Sequence, residues 1–90
     1  MTGSDPDAGR GTRLRDIQDF LSSVWREVFP ESTGSMDEDF FALAGSSVDA
    51  AMIAARLSVY SGVRISAGEI FFHSTPQELA LAAWRAMEVT

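Results

Sequence analysis

The amino-acid sequence predicts an all-α domain, a four-helix bundle with three longer helices and one short helix. Three stretches place apolar residues three and four positions apart, which puts them on one face of a helix. Proline, glycine and Thr-Pro signals mark where these stretches begin or end. With 90 residues, 46% of them hydrophobic, the chain is long enough for one domain with a single core.

The first helix begins near Leu14 and ends before Pro30, whose ring cannot continue the helical hydrogen-bond ladder. The apolar residues that share its predicted inner face are Leu14, Ile17, Leu21, Val24, Trp25 and Val28, with Phe20 beside them. Residues 1–12 show no such periodicity and are rich in Gly and Asp. We therefore expect a mobile tail at 1–12 and a folded domain at 13–88.

The connection from residue 30 to residue 46 is long for so small a domain, which indicates a functional role or anchoring by its own side chains. Phe40, Phe41 and Leu43 are the predicted anchors, with at least one Phe packed into the core. The acidic residues 37–39 lack the spacing of a calcium-binding loop, so we expect a solvated segment and no metal site.

The second helix is predicted from about Ser47 to Ser61, followed by Gly62 as the residue that ends it. Its inner face is formed by Ala50, Ile53, Ala54 and Leu57. The opposite face carries few charges and includes Met52, a flexible side chain that suits changing partners. Met52 as a tolerated surface residue explains the pattern equally well.

The remaining chain predicts an extended link, a short helix and a last helix. Residues 67–72 have room for one or two turns, with Ile70 and either Phe71 or Phe72 inward. Thr75 as N-cap, Pro76 at the first position and Glu78 three residues after the cap predict the next helix start. Its inner stripe, to about Met87, is Leu79, Ala82, Ala83 and Ala86.

Composition excludes several classes of function. The chain has no cysteine, so it offers no disulfide and no zinc site, and a thiol used in function must come from a cofactor. A net charge of −6 with scattered arginines argues against nucleic-acid binding. His73 is the sole histidine, without the arrangement of a nucleophilic triad, and we expect a surface or capping role and no catalysis. With no membrane span or signal peptide, we expect a cytoplasmic protein.

Residues 39–57 read DFFALAGSSVDAAMIAARL and bring an aromatic pair, a tight Gly turn and a serine to the start of the second helix. A serine hydroxyl there can accept a hydrogen bond from a first-turn N–H group. The same position suits an anion, because free N–H groups and the positive end of the helix dipole face it. A phosphate ester on such a serine would be stabilised.

This stretch resembles the motif D-x-F-F-x-L-G-G-x-S-L of the thiolation (peptidyl or acyl carrier) domains of nonribosomal peptide and polyketide synthesis. Ala44 and Val48 depart from the motif, where it has Gly and Leu. A later stretch, with Thr75-Pro76 transposed, is similar to the F-x-x-P-T-x-x-x-L-A ending of the same family. The positions that carry the main match are Phe40, Phe41, Leu43, Ala44, Gly45, Ser47 and Val48.

The resemblance implies a four-helix bundle of acyl-carrier-protein type that performs no chemistry itself. Ser47 would bear 4′-phosphopantetheine, attached from coenzyme A by a phosphopantetheinyl transferase, and Ser46, Val48 and Met52 would contact partners. An adenylation enzyme would load the thiol, and condensation, tailoring or thioesterase enzymes would receive the cargo. The F-F-x-L pattern favours a peptidyl carrier with aminoacyl or peptidyl cargo. We expect a monomer, and the sequence leaves open a free-standing protein and an excised domain.

Two alternatives stay open at this point. One is a polyketide-type acyl carrier protein. The other is an unmodified helical interaction module, in which Ser47 only caps the second helix and the Met52 face binds a partner permanently. Ser46 is a rival modification site, although the family motif and the apolar residue that follows favour Ser47.

Overall fold

The computed structural model describes residues 13–88, so the predicted tail at 1–12 lies outside the described residues. The helices are α1 (Leu14–Val28), α2 (Ser47–Ser61), α3 (Ala67–Phe72) and α4 (Pro76–Glu88). Residues 13–88 contain no strand. The prediction of an all-α bundle with three longer helices and one short helix is confirmed, and the bounds of α2 and α3 are those expected.

One hydrophobic core runs between the helices, because α1 packs mainly against α4 and α2 mainly against α3. No polar or charged side chain between residues 13 and 88 is buried. The core confirms the predicted inner faces of α1 and α2, although Leu14 and Val28 lie at its edge. Its members are Ile17, Leu21, Val24, Trp25, Phe29, Phe40, Ala50, Ile53, Ala54, Leu57, Ile65, Ile70, Leu79, Ala80 and Ala83.

The first part of the long connection, residues 29–38, is held against α1 and by its own side chains. The Ser22 hydroxyl donates to the Gly34 carbonyl at 2.7 Å, and the Trp25 Nε1–H donates to the Glu38 carbonyl at 3.2 Å. The Glu38 carboxylate accepts from the Ser32 hydroxyl and from the Thr33 N–H at 2.8 Å. These hydrogen bonds lower the pKa of Glu38, the one from Ser32 most.

The acidic residues 37–39 are exposed or partly exposed, as expected of a solvated segment, but two of the three also anchor the connection. Glu38 and Asp39 each accept several hydrogen bonds that fix the connection, while Asp37 is exposed. Within residues 13–88, no group of three or more His, Cys, Asp or Glu side chains is arranged to hold a metal ion.

Helix α3 corrects one expectation. Ile70 is fully buried, but Phe71 and Phe72 are 43% and 84% exposed, so neither turns into the core. Successive helical residues are rotated by about 100° around the helix axis. Of the adjacent residues 70–72, Ile70 is the one that faces the core. The Phe71 ring lies at the edge of the core, stacked on the ring of Phe41 and edge-on to that of Phe40, with centroids 5.9 Å away in both cases.

Helix α4 begins as predicted, since the Glu78 N–H donates to Thr75 Oγ1 at 3.1 Å and Pro76 is the first helical residue. Ala80 is buried, whereas Ala82 and Ala86 are only half-buried, so the inner stripe is rotated from the predicted one. None of the helices between residues 13 and 88 has the length and apolar character needed to cross a membrane.

At the C-terminal end of α2, three contacts join α2 to α1, one of them a hydrogen bond that the Tyr60 hydroxyl donates to the Asp16 carbonyl at 3.3 Å. The rings of Phe20 and Tyr60 stack with centroids 4.1 Å apart. Arg56 pairs with Glu27 at 2.6 Å, but both side chains are substantially exposed, so this ion pair contributes little to stability.

Candidate functional site

A compact turn at residues 39–45 delivers the chain to α2. The Ala44 N–H donates to the Phe41 carbonyl at 3.0 Å, and the Gly45 N–H donates to the Phe40 carbonyl at 2.9 Å. Asp39 Oδ2 accepts from the N–H groups of Phe41 and Ala42 at 2.9 and 3.0 Å. All of these bonds join residues within the turn, so they fix its shape and thereby the direction in which α2 starts.

Ala44 and Gly45 occupy the two glycine positions of the carrier motif, and they differ in backbone conformation. Ala44 has φ of 61°, the left-handed region that favours glycine. Gly45 does not have positive φ, but a Cβ at this position would lie 2.4 Å from the Phe40 ring. Gly45 is therefore required because the Phe40 ring leaves no room for a side chain. The position with the strained, left-handed backbone is Ala44.

Ser46 is the N-cap of α2. Its Oγ accepts from the Asp49 N–H at 3.2 Å, and its own N–H donates to Asp49 Oδ2 at 3.0 Å, which completes a reciprocal capping box. The hypothesis that Ser47 caps this helix is therefore wrong. A capping box needs an acceptor side chain three residues after the cap, and Ser46 has Asp49 there, whereas Ser47 has Ala50.

Ser47 is the first residue of α2 and is exposed. Its hydroxyl forms no hydrogen bond with any part of the chain from 13 to 88, and the N–H groups of Ser47 and Val48 have no acceptor there. A phosphodiester on this hydroxyl would carry its negative charge at the positive end of the helix dipole, which stabilises an anion by about 0.3–1 kcal/mol. The position thus fits a covalent phosphopantetheine group.

The surface near the serine is apolar. Val48 and Met52, 73% and 42% exposed, are neighbours on the outward side of α2, one turn apart. Phe41, 54% exposed, lies in the turn before the serine and stacks on Phe71 of α3 at an interplanar angle of 24°. We call these four exposed residues, Phe41, Val48, Met52 and Phe71, the docking face, because we propose below that partner enzymes bind there. The predicted partner contacts Ser46, Val48 and Met52 are all exposed, Ser46 as the N-cap and the other two within the first two turns of α2.

At least one of Phe40 and Phe41 was expected in the core, and Phe40 confirms this, while the exposure of Phe41 was not predicted. Phe71 or Phe72 was expected to face inward, and that expectation is wrong. Each pair consists of adjacent aromatics, and adjacent residues cannot both face a core on one side. That signal predicts at least one exposed ring per pair, but it does not identify which one.

His73 ends α3, where its backbone N–H donates to the Glu69 carbonyl at 2.9 Å. It is half-buried, in accord with the expected capping role.

Comparison with known proteins places these features in a family. Residues 19–82 match the family model described as "Phosphopantetheine attachment site". Bacitracin synthase 2 of Bacillus licheniformis is 35% identical over 60 residues, which is 67% of this chain and 2% of that protein. Surfactin synthase subunit 2 of Bacillus subtilis (strain 168) is 29% identical over 85 residues, 91% of this chain and 2% of that protein.

The nonribosomal peptide synthetase gliP of Aspergillus fumigatus is 34% identical over 77 residues, 79% of this chain and 4% of that protein. The chain thus spans only a few per cent of the length of these relatives. Among solved structures, BlmI of Streptomyces verticillus, a type-II acyl-carrier-protein involved in bleomycin biosynthesis, aligns with a TM-score of 0.77 and 23% identity. The alignment covers 88% of this chain and 95% of BlmI, and it shows the same fold.

Proposed function

The chain belongs to the phosphopantetheine attachment family, whose members carry covalently attached 4′-phosphopantetheine, and from this premise we propose that Ser47 is its attachment residue. The observation that carries the proposal is the difference between the two neighbouring serines. Ser46 uses its hydroxyl and its N–H to cap α2, whereas the Ser47 hydroxyl is exposed and without a partner among the described residues. Attachment at Ser46 would convert the hydroxyl oxygen that accepts from the Asp49 N–H into a weaker and more crowded ester oxygen.

In the proposed attachment, Ser47 Oγ attacks the phosphorus of coenzyme A that bears the pantetheine moiety. The bond from this phosphorus to the adenosine 3′,5′-bisphosphate half breaks, and the serine proton passes to a base of the transferase. This chain contributes an accessible hydroxyl and the positive end of α2 beside the resulting phosphodiester. The attached group supplies a thiol, which the cysteine-free chain lacks, and a thiol holds an acyl cargo as a thioester.

We place the carrier in a nonribosomal peptide pathway, with aminoacyl or peptidyl cargo. This is supported by relatives that are peptide synthetases, among them the phosphinothricin tripeptide synthetase PhsC of Streptomyces viridochromogenes, 30% identical over 87 residues. The proposed partners are a phosphopantetheinyl transferase, an adenylation enzyme, and condensation, tailoring or thioesterase enzymes. Attachment to a flexible arm raises the effective concentration of cargo at each partner.

The docking face supports this function because it offers apolar surface without the charges that would fix one partner. A net charge of −6 opposes self-association, so we propose a monomer. We also propose that it acts in the cytoplasm and has no catalytic activity of its own. The alternative of an unmodified interaction module explained Ser47 as a helix cap, and Ser46 performs that role.

The test is intact-protein mass spectrometry after incubation with coenzyme A, Mg²⁺ and a broad-specificity phosphopantetheinyl transferase. Wild type and Ser46→Ala should each gain about 340 Da, the mass of one covalently attached arm. Ser47→Ala should gain nothing. An unchanged mass of the wild-type protein with several transferases would contradict the proposal, and so would a gain in Ser47→Ala.

A polyketide-type carrier is distinguished by its loading. A peptidyl carrier in its arm-bearing form should become aminoacylated by an adenylation enzyme and ATP. Loading only by an acyltransferase and a malonyl-type thioester would identify the polyketide alternative.

A further inference from the structure

The turn before Ser47 is fixed to the junction between α3 and α4, far along the chain. The Phe40 N–H donates to the Ser74 carbonyl at 2.7 Å, and the Ser74 hydroxyl donates to Asp39 Oδ1. A further backbone bond, from the Gln77 N–H to the Met36 carbonyl at 3.0 Å, lies nearby. Residues 36–40 and 74–77 therefore form one hydrogen-bonded unit.

Asp39 joins this junction to the turn through its two carboxylate oxygens. Oδ1 accepts from Ser74, while Oδ2 accepts from the N–H groups of Phe41 and Ala42 at 2.9 and 3.0 Å. The Ser74 hydroxyl, followed by the Ala42 and Phe41 N–H groups, lowers the pKa of Asp39, so the carboxylate remains an acceptor on both sides.

Short contacts continue from the turn to the reactive serine. The Gly45 N–H donates to the Phe40 carbonyl at 2.9 Å, and the Phe40 ring occupies the space beside the Gly45 Cα. Ser46 follows and caps the helix that Ser47 begins. Phe71 lies just before the junction between α3 and α4, and its ring stacks on Phe41. The Phe41–Phe71 pair therefore connects the turn to the docking face.

We propose that Asp39 and Ser74 are positioning residues for arm attachment, because their hydrogen bond fixes the turn that places the Ser47 hydroxyl for transfer. The proposal rests on Ser47 being the attachment residue. When the bond is lost, the turn and the first turn of α2 gain freedom. Met52, in the second turn, stays where the core holds α2. The transferase then binds the domain almost as before but meets the reacting hydroxyl in the correct place less often.

The expected signature is a lower kcat with little change in KM. Displacement of a reacting group by about 1 Å can reduce a rate about 100-fold, and a loosened turn is a smaller disturbance, so we expect a loss of about tenfold. A role limited to stability leaves kcat unchanged at temperatures where the variant is fully folded.

The experiment measures steady-state arm attachment with coenzyme A, Mg²⁺ and a transferase, well below each variant's melting temperature. Ser74→Ala removes the hydroxyl but keeps the backbone bonds of residues 40 and 77, so the domain should fold. In Asp39→Asn the side chain keeps only one acceptor oxygen, so it cannot accept from Ser74 and from the turn N–H groups with separate oxygens. This substitution should therefore also lower kcat. Ser74→Thr restores a hydroxyl and should restore kcat.

Ser22→Ala is the matched control, because it removes a hydrogen bond of the same kind from the same connection, to Gly34, on the side of α1. It should lower the melting temperature without lowering kcat. Amide chemical shifts of Phe41, Ala42 and Ser47 give a readout independent of the transferase. They should move in Ser74→Ala and return toward wild type in Ser74→Thr.

Wild-type kcat in both Ser74→Ala and Asp39→Asn would overturn the proposal, as would an equal loss of kcat in Ser22→Ala. Failure of the wild-type domain to accept an arm is a different outcome, which contradicts the assignment of Ser47.

Discussion

The inward and outward faces of residues 40–57 are built from similar side chains with opposite environments. Phe40 is fully buried, while Phe41 beside it is 54% exposed. Ile53 is fully buried, while Met52 beside it is 42% exposed. Both faces are apolar, so apolar character alone does not separate the residues that stabilise the fold from those available to partners.

The two serines repeat this contrast with polar groups. Ser46 is engaged in the capping box, and Ser47 has a hydroxyl without a partner in residues 13–88. Buried or hydrogen-bonded side chains and exposed, unengaged ones thus lie at adjacent positions of this segment. Substitutions on one face should therefore change stability, and those on the other should change modification and partner contact.

The largest expected difference is between the two aromatic neighbours. Phe40→Ala should lower the free energy of unfolding by about 3–5 kcal/mol, because it leaves a cavity next to Phe29 and Gly45. Phe41→Ala should cost about 0.5–1.5 kcal/mol, the worth of an aromatic pair at a partly exposed site. Urea denaturation measures both values. An equal cost for the two substitutions would show that the faces are not separate.

Substitution of the two serines should show the same contrast in the free energy of unfolding as Phe40 and Phe41, but a smaller one. Ser46→Ala should lower the free energy of unfolding by about 0.5–2 kcal/mol through loss of the helix cap. Ser47→Ala should change it by less than about 0.5 kcal/mol, as is usual for an exposed residue without specific contacts. Thermal or chemical denaturation of the unmodified proteins tests this. A costly Ser47→Ala would mean that its hydroxyl has a structural role.

Ala44→Gly should stabilise the domain by about 0.5–1 kcal/mol. Relief of left-handed strain, worth about 1–2 kcal/mol, exceeds the extra entropy that glycine brings to the unfolded chain. The matched substitution Gly45→Ala should destabilise, because its Cβ meets the Phe40 ring. Two substitutions of opposite sign at adjacent positions are a sharp test by denaturation, and a destabilising Ala44→Gly would contradict the assigned backbone conformation.

Met52→Glu should change stability by less than about 0.5 kcal/mol, since the side chain is on the surface. It should nevertheless slow arm attachment, loading or transfer with at least one partner, because a charge is placed on the docking face. Val59→Glu puts the same charge on the same helix, at an 86% exposed position near its other end, and is the control. Unchanged kinetics of Met52→Glu with every partner, or equal effects of both variants, would remove Met52 from the docking face.

The smallest effect concerns pH. Because the pKa of Asp39 is lower in the folded than in the unfolded chain, its contribution to stability is complete above the unfolded value, about pH 4. The contribution is lost as the pH falls through the lower folded-state pKa. The free energy of unfolding of Asp39→Asn should therefore fall less steeply than that of wild type as the pH is lowered below about pH 4. Identical slopes in acid denaturation would contradict the role of the Ser74 hydrogen bond.

The helices could be predicted because their apolar periodicity and end signals are local. Pro30, Gly62 and Thr75-Pro76 mark real boundaries, and α2 has the predicted bounds. The choice between adjacent candidates was harder. Phe71 and Phe72 fit an inner face equally well in sequence, and the packing of α3 on α2 decides that neither enters the core.

The alternative of an interaction module places the cap of α2 at Ser47, one residue too late, although the spacing from Ser46 to Asp49 is a capping-box signal that sequence inspection can find. The hydrogen bond between Asp39 and Ser74 is different, because it joins residues 35 positions apart and leaves no local pattern. The identity of the attachment residue, the partner contacts and the domain boundary near residue 13 remain predictions.

The central claim is that the arm is attached to Ser47 and not to its neighbour. Trypsin cleaves after arginine, so the peptide 27–56 of the modified protein contains both serines and needs fragmentation between them. Tandem mass spectrometry should find the added mass on fragments that include Ser47 and exclude Ser46. Added mass on Ser46, with an unmodified Ser47, would contradict the account.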